Sequence, residues 1–314
     1  MSKPLVIVTE GADPAPLAWL KERCEVIEAS PESPEFIAAL PNAHGLSVRT
    51  YTKVDAALLA RAPKLKVVGR GGVGIENIDV KACRARGVEV VYTPDANTLA
   101  VGDYVFGLIL QLIRPYGFFR DTAYDAKTFK TIRNEERGRQ LNEMTIGILG
   151  MGRVGKRVGK IAADGFGMRV LYHDLIDIGA LPFEAKSVDK ATLIRESDIL
   201  TLHVDMRPGN EHLIGTGELA TMKPDAILLN TCRGEVLDEY ALAAAIREKR
   251  LAGAAIDVYH PEPPPADFPL LGFTNVLLAP HMAARTFTAI ENMSWVVRDI
   301  VAVLGDNPPK HPAP

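Results

Sequence analysis

Short apolar runs bounded by Gly, Pro or Asp alternate with helical periodicities along most of the chain, which is the pattern of a parallel α/β sheet. A first series of strands is predicted over residues 5–9, 65–69 and 88–92. A second series is predicted over 145–149, 169–173, 198–204, 226–230, 253–258 and 275–279, each followed by a turn and most by a helical segment. Six strands of this kind suit a doubly wound sheet. Between the two series, "NTLAVGDYVFGLILQLIRPYGFFRD" reads as an apolar-rich helix bridging two domains, with Asn97 or Thr98 as N-cap and Pro115 disturbing it. Near the far end, Ile290, Met293, Val297, Ile300 and Leu304 recur at steps of three and four, as on one amphipathic helix returning to the first domain. The closing "GDNPPKHPAP" reads as a flexible tail, and there is no internal repeat.

Length and composition narrow this picture. A chain of 314 residues exceeds the usual size of a single core, so two domains are expected. With 47% hydrophobic and 24% charged residues, it has the make-up of a globular protein rather than a disordered one. Basic and acidic residues number 36 and 39, and no basic run forms a nucleic-acid stripe, so a small-molecule partner is expected and a nucleic-acid partner is not. The amino end lacks a signal-peptide core and no stretch approaches a membrane span. Cys24, Cys83 and Cys232 are far apart and without CxxC spacing, which fits a reducing cytoplasm and gives no reason to expect a metal.

The strongest local motif is "TIGILGMGRVGKRVGKIA", where a strand runs into Gly150, Gly152 and Gly155 in GxGxxG spacing and then into a helix. The first glycine permits the tight turn, the second lets the backbone approach a pyrophosphate, and the third lets helix and strand pack closely. The helix N-terminus then faces the phosphates. Asp174 closes "RVLYHD" nineteen residues beyond Gly155, where a carboxylate would accept from the ribose hydroxyls and repel a 2′-phosphate. NAD is therefore expected over NADP. His173 beside it reads as a neighbour without a function of its own.

Ligands of open α/β sheets sit beyond the carboxyl ends of the strands, which directs attention to the charged groups placed there. They are Arg233 after "AILLNTC", Glu262 after "GAAIDVYHP" and His281 after "NVLLAP". Arg233 keeps its proton at any working pH, so at the rim of an apolar strand it needs an anionic partner or solvent.

Taken in order, "GILGMGRVG", "NTCRGEVLDE", "GAAIDVYHPEPP" and "APHMAART" resemble the D-isomer-specific 2-hydroxyacid dehydrogenases, and "VVGRGGVGIENID" and "VVYTPDANT" resemble that family's substrate-domain loops. The resemblance implies that His281 exchanges a proton with the substrate, Glu262 hydrogen-bonds and orients its imidazole, and Arg233 clamps the substrate carboxylate or keto oxygen. It also implies that Asp257 meets the nicotinamide carboxamide, that Arg153 and Val154 offer amides to the pyrophosphate, and that Thr231 and Cys232 line the nicotinamide pocket by main chain. His203, Val204 and Ala283 fall at further cofactor-side positions. On the substrate side, Gly72, Val73 and Gly74 are expected to present amides to a carboxylate, with Arg49, Arg70 and Asn97 near substrate.

Departures from the family pattern are equally specific. Asp205, Arg207 and Asn210 stand where proline and threonines are usual, which puts the family's cofactor contacts there in doubt. Ala283 replaces a glycine after the histidine, Arg285 stands where a small or aromatic residue is common, Asp103 replaces a glutamate and Gly102 an alanine.

The expectation is thus an α/β protein of two Rossmann-like doubly wound domains. A flavodoxin-like substrate domain would comprise residues 1–98 and 287–314, and an NAD-binding domain residues 99–286, with the site in a closing cleft. It is expected to be a cytoplasmic homodimer transferring a hydride between NAD(H) and a small 2-hydroxy or 2-keto acid. The "VRTYTKV" and Arg70 segments lean toward 3-phosphoglycerate, whereas "YTPD" and "HMAARTFTAIENM" lean toward glyoxylate or hydroxypyruvate. A non-catalytic NAD-sensing corepressor on the same fold stays open as an alternative, since fold does not fix function. A formate dehydrogenase, which has an amide in place of the Glu262 carboxylate, is disfavoured.

Overall fold

The computed structural model describes residues 3–114, 125–135 and 137–314. They form two compact units, Met1–Asn97 with Ala284–Pro314, and Thr98–Ala283. Thr98 falls in the second unit because it opens the helix Thr98–Ile113, and Ala284 to Thr286 fall in the first because Thr286 caps the helix Phe287–Ser294. Pro115, expected to disturb the helix, lies outside the described residues.

The first unit is built on five strands, β1 (Leu5–Val8), β2 (Glu25–Glu28), β3 (Gly45–Val48), β4 (Val67–Arg70) and β5 (Glu89–Tyr92), in the order β2-β1-β3-β4-β5. Every pairing is parallel. Parallel sheets need cover on both faces, and the side chains comply: Leu5, Ile7, Leu46 and Val48 enter one core, while Val6, Val8 and Val67 enter another with Leu20, Val297 and Ile300. This is why β1 is an unbroken apolar run.

β2 and β3 escape the sequence reading for different reasons. "EVIE" is an edge strand with both glutamates exposed, and "GLSV" is wholly buried but short, with a glycine and a serine diluting its apolar character. Gly45 packs tightly there, since a Cβ would meet methyl groups of Ile300, Val6 and Val67 at 3.2 to 3.3 Å.

Two expectations near the carboxyl end are corrected. The single amphipathic helix is two helices, Phe287–Ser294 and Val297–Leu304. Ser294 Oγ donates back to the Ile290 carbonyl at 2.8 Å and accepts the Asp13 amide at 3.0 Å, a local competition that favours a break. The tail is docked rather than flexible. The Tyr92 amide donates to the His311 carbonyl, the Ala313 amide to the Val90 carbonyl at 2.7 Å, and the Arg84 guanidinium to the Ala313 carbonyl at 2.6 Å. Residues 311–313 thereby cover the open edge of β5.

The second unit carries seven parallel strands, β6 (Thr145–Leu149), β7 (Arg169–His173), β8 (Lys186–Ser187), β9 (Ile199–Leu202), β10 (Ile227–Asn230), β11 (Gly253–Ile256) and β12 (Val276–Leu278). Their order is β12-β11-β10-β9-β6-β7-β8, so the direction of winding reverses between β6 and β9. The two-residue β8 is too short to show in a periodicity. The helix Thr98–Ile113 packs on this sheet, with Val105 and Ile109 fully buried and Phe106 stacked on Phe166, so it belongs to the second unit rather than spanning two. The departures at 102 and 103 explain each other. A Cβ at Gly102 would lie 2.5 Å from Arg157 Cγ, and the arginine that occupies this space reaches Asp103 at 3.0 Å.

Asp198, at the start of β9, fastens three segments. Its buried carboxylate accepts the Thr145 amide at 2.7 Å, Lys223 Nζ at 3.0 Å and Arg139 Nη2 at 3.4 Å. Burial alone would raise its pKa, but the Thr145 amide and Lys223 outweigh it and hold the carboxyl below its ordinary value. A depressed folded-state pKa contributes stability above the unfolded value that is lost as pH falls through the folded one. Asp198→Ala is expected to cost about 2 kcal/mol near neutral pH. The cost should shrink as the solution is acidified below the carboxylate range. Urea titrations of both proteins at pH 7 and pH 3 measure this, and an equal difference at the two pH values contradicts it.

Candidate functional site

Within the second unit, β6 ends at Leu149 and the chain turns on Gly150, whose φ of +95° lies in the region that favours glycine. A Cβ at Gly150 would sit 2.5 Å from the His203 carbonyl oxygen, so the turn nests against the end of β9. Gly155 is equally constrained, its Cβ falling 2.1 Å from the Gly150 carbonyl oxygen. Gly152, by contrast, faces open space and N-caps the helix Arg153–Lys160. The Arg153 and Val154 amides lie in that helix's first turn, whose dipole favours an anion.

Asp174 follows β7 directly, and its Oδ2 accepts the Met151 amide at 2.7 Å. The carboxylate is thus tied to the glycine turn while remaining partly exposed. Opposite, Val204 packs within 3.0 Å of a Cβ at Gly150, and His203 Nε2 lies 3.0 Å from Thr201 Oγ1. Desolvation lowers the His203 pKa to about 3, so this ring is neutral at working pH. Asp205, Arg207 and Asn210 form a clasp of their own: Arg207 holds both Asp205 oxygens at 2.6 Å, and Asn210 Nδ2 donates to the Asp205 carbonyl at 2.8 Å.

The remaining site residues follow three neighbouring strands, β10, β11 and β12. After β10, buried Asn230 staples the turn, its Oδ1 accepting the Cys232 amide at 3.1 Å and its Nδ2 donating to the Arg233 carbonyl at 2.8 Å. Arg233 Nη1 donates to the Cys232 carbonyl at 2.6 Å. Burial pushes the Cys232 thiol up to about 11, which removes it as a nucleophile. Thr231 is buried with its Oγ1 lacking a hydrogen-bond partner among the described residues.

Gly234 then passes so close to the segment after β11 that a Cβ would fall 2.1 Å from the Tyr259 carbonyl carbon. Only a glycine allows the Arg233 turn and the Glu262 loop to meet. Glu262 Oε1 accepts the Tyr259 amide at 3.1 Å, and its Oε2 lies 2.9 Å from His281 Nδ1. Burial works to raise the Glu262 pKa, but the His281 contact outweighs it, and the carboxyl titrates below its ordinary value. An ionised Glu262 requires Nδ1 to be the protonated nitrogen of that contact, which leaves Nε2 for chemistry.

His281 has φ of 54°, a left-handed conformation that costs energy outside glycine and must be held by its surroundings. Asp257 holds it. Fully buried at the end of β11, its carboxylate accepts the Met282 amide at 2.7 Å and the Ala283 amide at 2.9 Å. Tyr259 adds a hydrogen bond from its hydroxyl to the Ala279 carbonyl at 2.8 Å. Arg233, Glu262 and His281 are therefore gathered at one end of one sheet.

The first unit places its own candidates at the carboxyl ends of β3 and β4. Arg70 Nη1 donates to the Gly71 carbonyl at 2.8 Å. The Gly72 amide is committed to Thr93 Oγ1 at 2.8 Å, so of the three amides expected to face a carboxylate only those of Val73 and Gly74 lack an acceptor among the described residues. The Asn97 Oδ1 is buried and without a partner among them. Asn230, Tyr259 and Glu10, which binds the loop after β3, were not anticipated. A charged or amide residue directly after an apolar strand is the signal that marked Arg233, and it marks Glu10 and Asn230 as well.

The glycine turn suits a dinucleotide on structural grounds: room at Gly152, closure at Gly155, a carboxylate at Asp174 and an orphaned hydroxyl at Thr231. Residues 106–283 match the family model described as "D-isomer specific 2-hydroxyacid dehydrogenase, NAD binding domain". The chain is 36% identical over 302 residues to an (S)-sulfolactate dehydrogenase of Chromohalobacter salexigens, covering 94% of this chain and 96% of the relative. It is 34% identical over 329 residues to a glyoxylate reductase of Thermofilum pendens, covering 98% and 94%. Among solved structures, a protein of Thermus thermophilus superposes with a TM-score of 0.87 at 32% identity, covering 99% of this chain and all of that one. The glycine turn, the strand-end residues and these likenesses agree, and the chain belongs to the D-isomer-specific 2-hydroxyacid dehydrogenase family.

Proposed function

We propose that Arg233, Glu262 and His281 are the catalytic residues of an NAD-dependent reaction interconverting a small 2-hydroxy acid and its 2-keto acid. The reading is carried by the 2.9 Å contact between Glu262 and His281, with the Arg233 turn packed against the same loop. NAD supplies or accepts the hydride when bound, held by the first-turn amides of Arg153 and Val154, by Asp174, and by the turn of Thr231 and Cys232. The chain's own groups do the rest. Arg233 binds the substrate carboxylate or keto oxygen through a planar fork. His281 donates a proton from Nε2 to the developing alkoxide and takes one back in the oxidative direction. Glu262 stabilises the charged imidazole and fixes its orientation, and Asp257 keeps the His281 loop in its left-handed turn.

The same reading takes Val73 and Gly74 as amides for a substrate carboxylate, with Arg49, Arg70 and Asn97 close by, and takes the protein to be a cytoplasmic homodimer. Three buried free thiols suit a reducing compartment. Among the described residues no helix is long and apolar enough to cross a membrane, and no cluster of His, Cys, Asp and Glu could hold a metal.

Incubating the protein with NADH and a panel of 2-keto acids tests the activity, and no oxidation with any member would sink it. His281→Ala is expected to lower turnover by roughly a hundred- to ten-thousandfold while NAD affinity, read by fluorescence titration, changes little. An unchanged rate removes His281 from the chemistry. Asp174→Ser is expected to narrow the preference for NADH over NADPH at least about tenfold in kcat/KM. A preference that stays as it was shows that another group selects the cofactor.

A further inference from the structure

Glu239 takes no part in the chemistry proposed for Arg233 and His281, yet it is held in an unfavourable state. It opens the helix Glu239–Arg247, shortly after the turn that carries Arg233. Its Oε1 is buried and lacks a hydrogen-bond partner among the described residues. An unpartnered buried carboxyl oxygen costs stability, and a chain that keeps one commonly does so where function requires it.

The surroundings of Glu239 lead to the Glu262 loop. A Cβ at Gly234 would fall 2.5 Å from the His260 amide nitrogen, so the Arg233 turn and this loop touch without slack. Glu235, the residue after Gly234, holds the same loop by a side chain, its Oε1 lying 3.1 Å from His260 Nδ1. On the other side of His260, the Tyr259 amide donates to Glu262 Oε1 at 3.1 Å, and Glu262 Oε2 lies 2.9 Å from His281 Nδ1. His260 therefore stands one residue from the amide that anchors Glu262 and two residues from Glu262 itself.

The groups that act on Glu239 are Asp238 from its own helix cap, His260 from the loop after β11, and His212, whose amide donates to the Glu235 carbonyl at 2.8 Å. Glu235 joins them through His260. Burial, opposed by the His260 amide and by the charges of His260 and His212, pushes the Glu239 carboxyl up from 4.5 to about 7. Glu239 thus changes charge within the working range. Ionised, it draws the His260 amide and a protonated His260 ring toward its helix, adding to the pull of Glu235. Neutral, it leaves the loop to Glu235 alone.

We propose that Glu239, Glu235 and His260 form a proton-linked brace that holds the Glu262 loop against the Arg233 turn, with Glu239 as a positioning residue whose charge adjusts the Glu262–His281 pair. The inference rests on the dehydrogenase reading for its effect on turnover, and not for the coupling between Glu239 and His281. All of these residues belong to the second unit. The brace makes the reaction respond to pH through a group that touches neither substrate nor cofactor.

Glu239→Gln, which keeps the shape of the side chain and removes its charge, tests this. A carboxyl whose folded-state pKa is raised contributes stability that is present below its ordinary range and lost as pH rises toward the folded value. The melting temperature of Glu239→Gln should therefore gain on that of the parent protein between pH 5 and pH 8; an equal difference at the two pH values overturns the proposal. A buried acid with no further role would give the same gain, so the His281 ring supplies a second readout. In protein labelled at histidine, its NMR resonance, identified by its absence from His281→Ala, should show a second inflection near pH 7 in the parent. That inflection should disappear in Glu239→Gln and shrink by at least about half in His260→Asn. Identical His281 curves in the parent and Glu239→Gln refute the brace whatever the melting curves show, and an undiminished inflection in His260→Asn refutes the loop as its path. With NADH and the 2-keto acid reduced fastest, kcat of Glu239→Gln should match the parent at pH 6 and fall about threefold or more below it at pH 8. A ratio that is the same at both pH values also overturns the proposal. If no acid is reduced but the His281 response depends on Glu239, the dehydrogenase reading fails and the brace stands.

Discussion

Parallel strand pairing is the constraint on which both units depend. It forces every strand of a sheet to end on the same edge, so the turns that follow β10, β11 and β12 emerge side by side, as do those that follow β1, β3 and β4. It also requires apolar cover on both faces, which accounts for strands in which every residue is buried. Charged side chains are consequently absent from the wholly buried strands and lie at strand ends and on edge strands.

Most of the hydrogen bonds at the site of the second unit shape backbone and are not themselves chemical. Asp257, Asn230 and Tyr259 fix turns, and Gly234 lets two of those turns touch. In the proposed reaction, contact with a ligand would fall to a few groups, among them the outer nitrogen of His281, the Arg233 guanidinium and the Thr231 hydroxyl. A loop built this way loses little freedom on binding, so the interaction energy of a ligand is not consumed in ordering the protein. The positive φ of His281 fits this view, since a strained residue persists only where its neighbours over-determine it.

What could be read from sequence follows from these physical divisions. The strands of the second unit other than β8 are visible because they are apolar runs between turn residues, and Arg233, Glu262 and His281 are visible because a charge after such a run is conspicuous. β2 and β3 were hidden by glutamates, a glycine and a serine that only the finished sheet accommodates. Asp198, Asn230 and Glu10 act through main-chain amides, so their place at strand ends is visible in the sequence but the amides they accept are not. The tail looked unstructured because proline and charge dominate it, yet its main chain supplies the hydrogen bonds that the edge of β5 lacks. Ser294 split the last helical pattern through a side-chain bond that periodicity ignores.

The discontinuity of the first unit bears on the order of events during synthesis. Residues 98–283 are translated between its two parts, and the helix Val297–Leu304, which fills one face of its sheet, is made only after them. At ribosomal speeds of about 5–20 residues per second, roughly twelve to fifty seconds pass between the synthesis of β3 and β4 and that of their cover. The inserted unit has its whole chain available first. It can complete its core while the amino-terminal strands wait with apolar surface exposed, which makes that interval the period when a nascent chain most needs shielding from its neighbours.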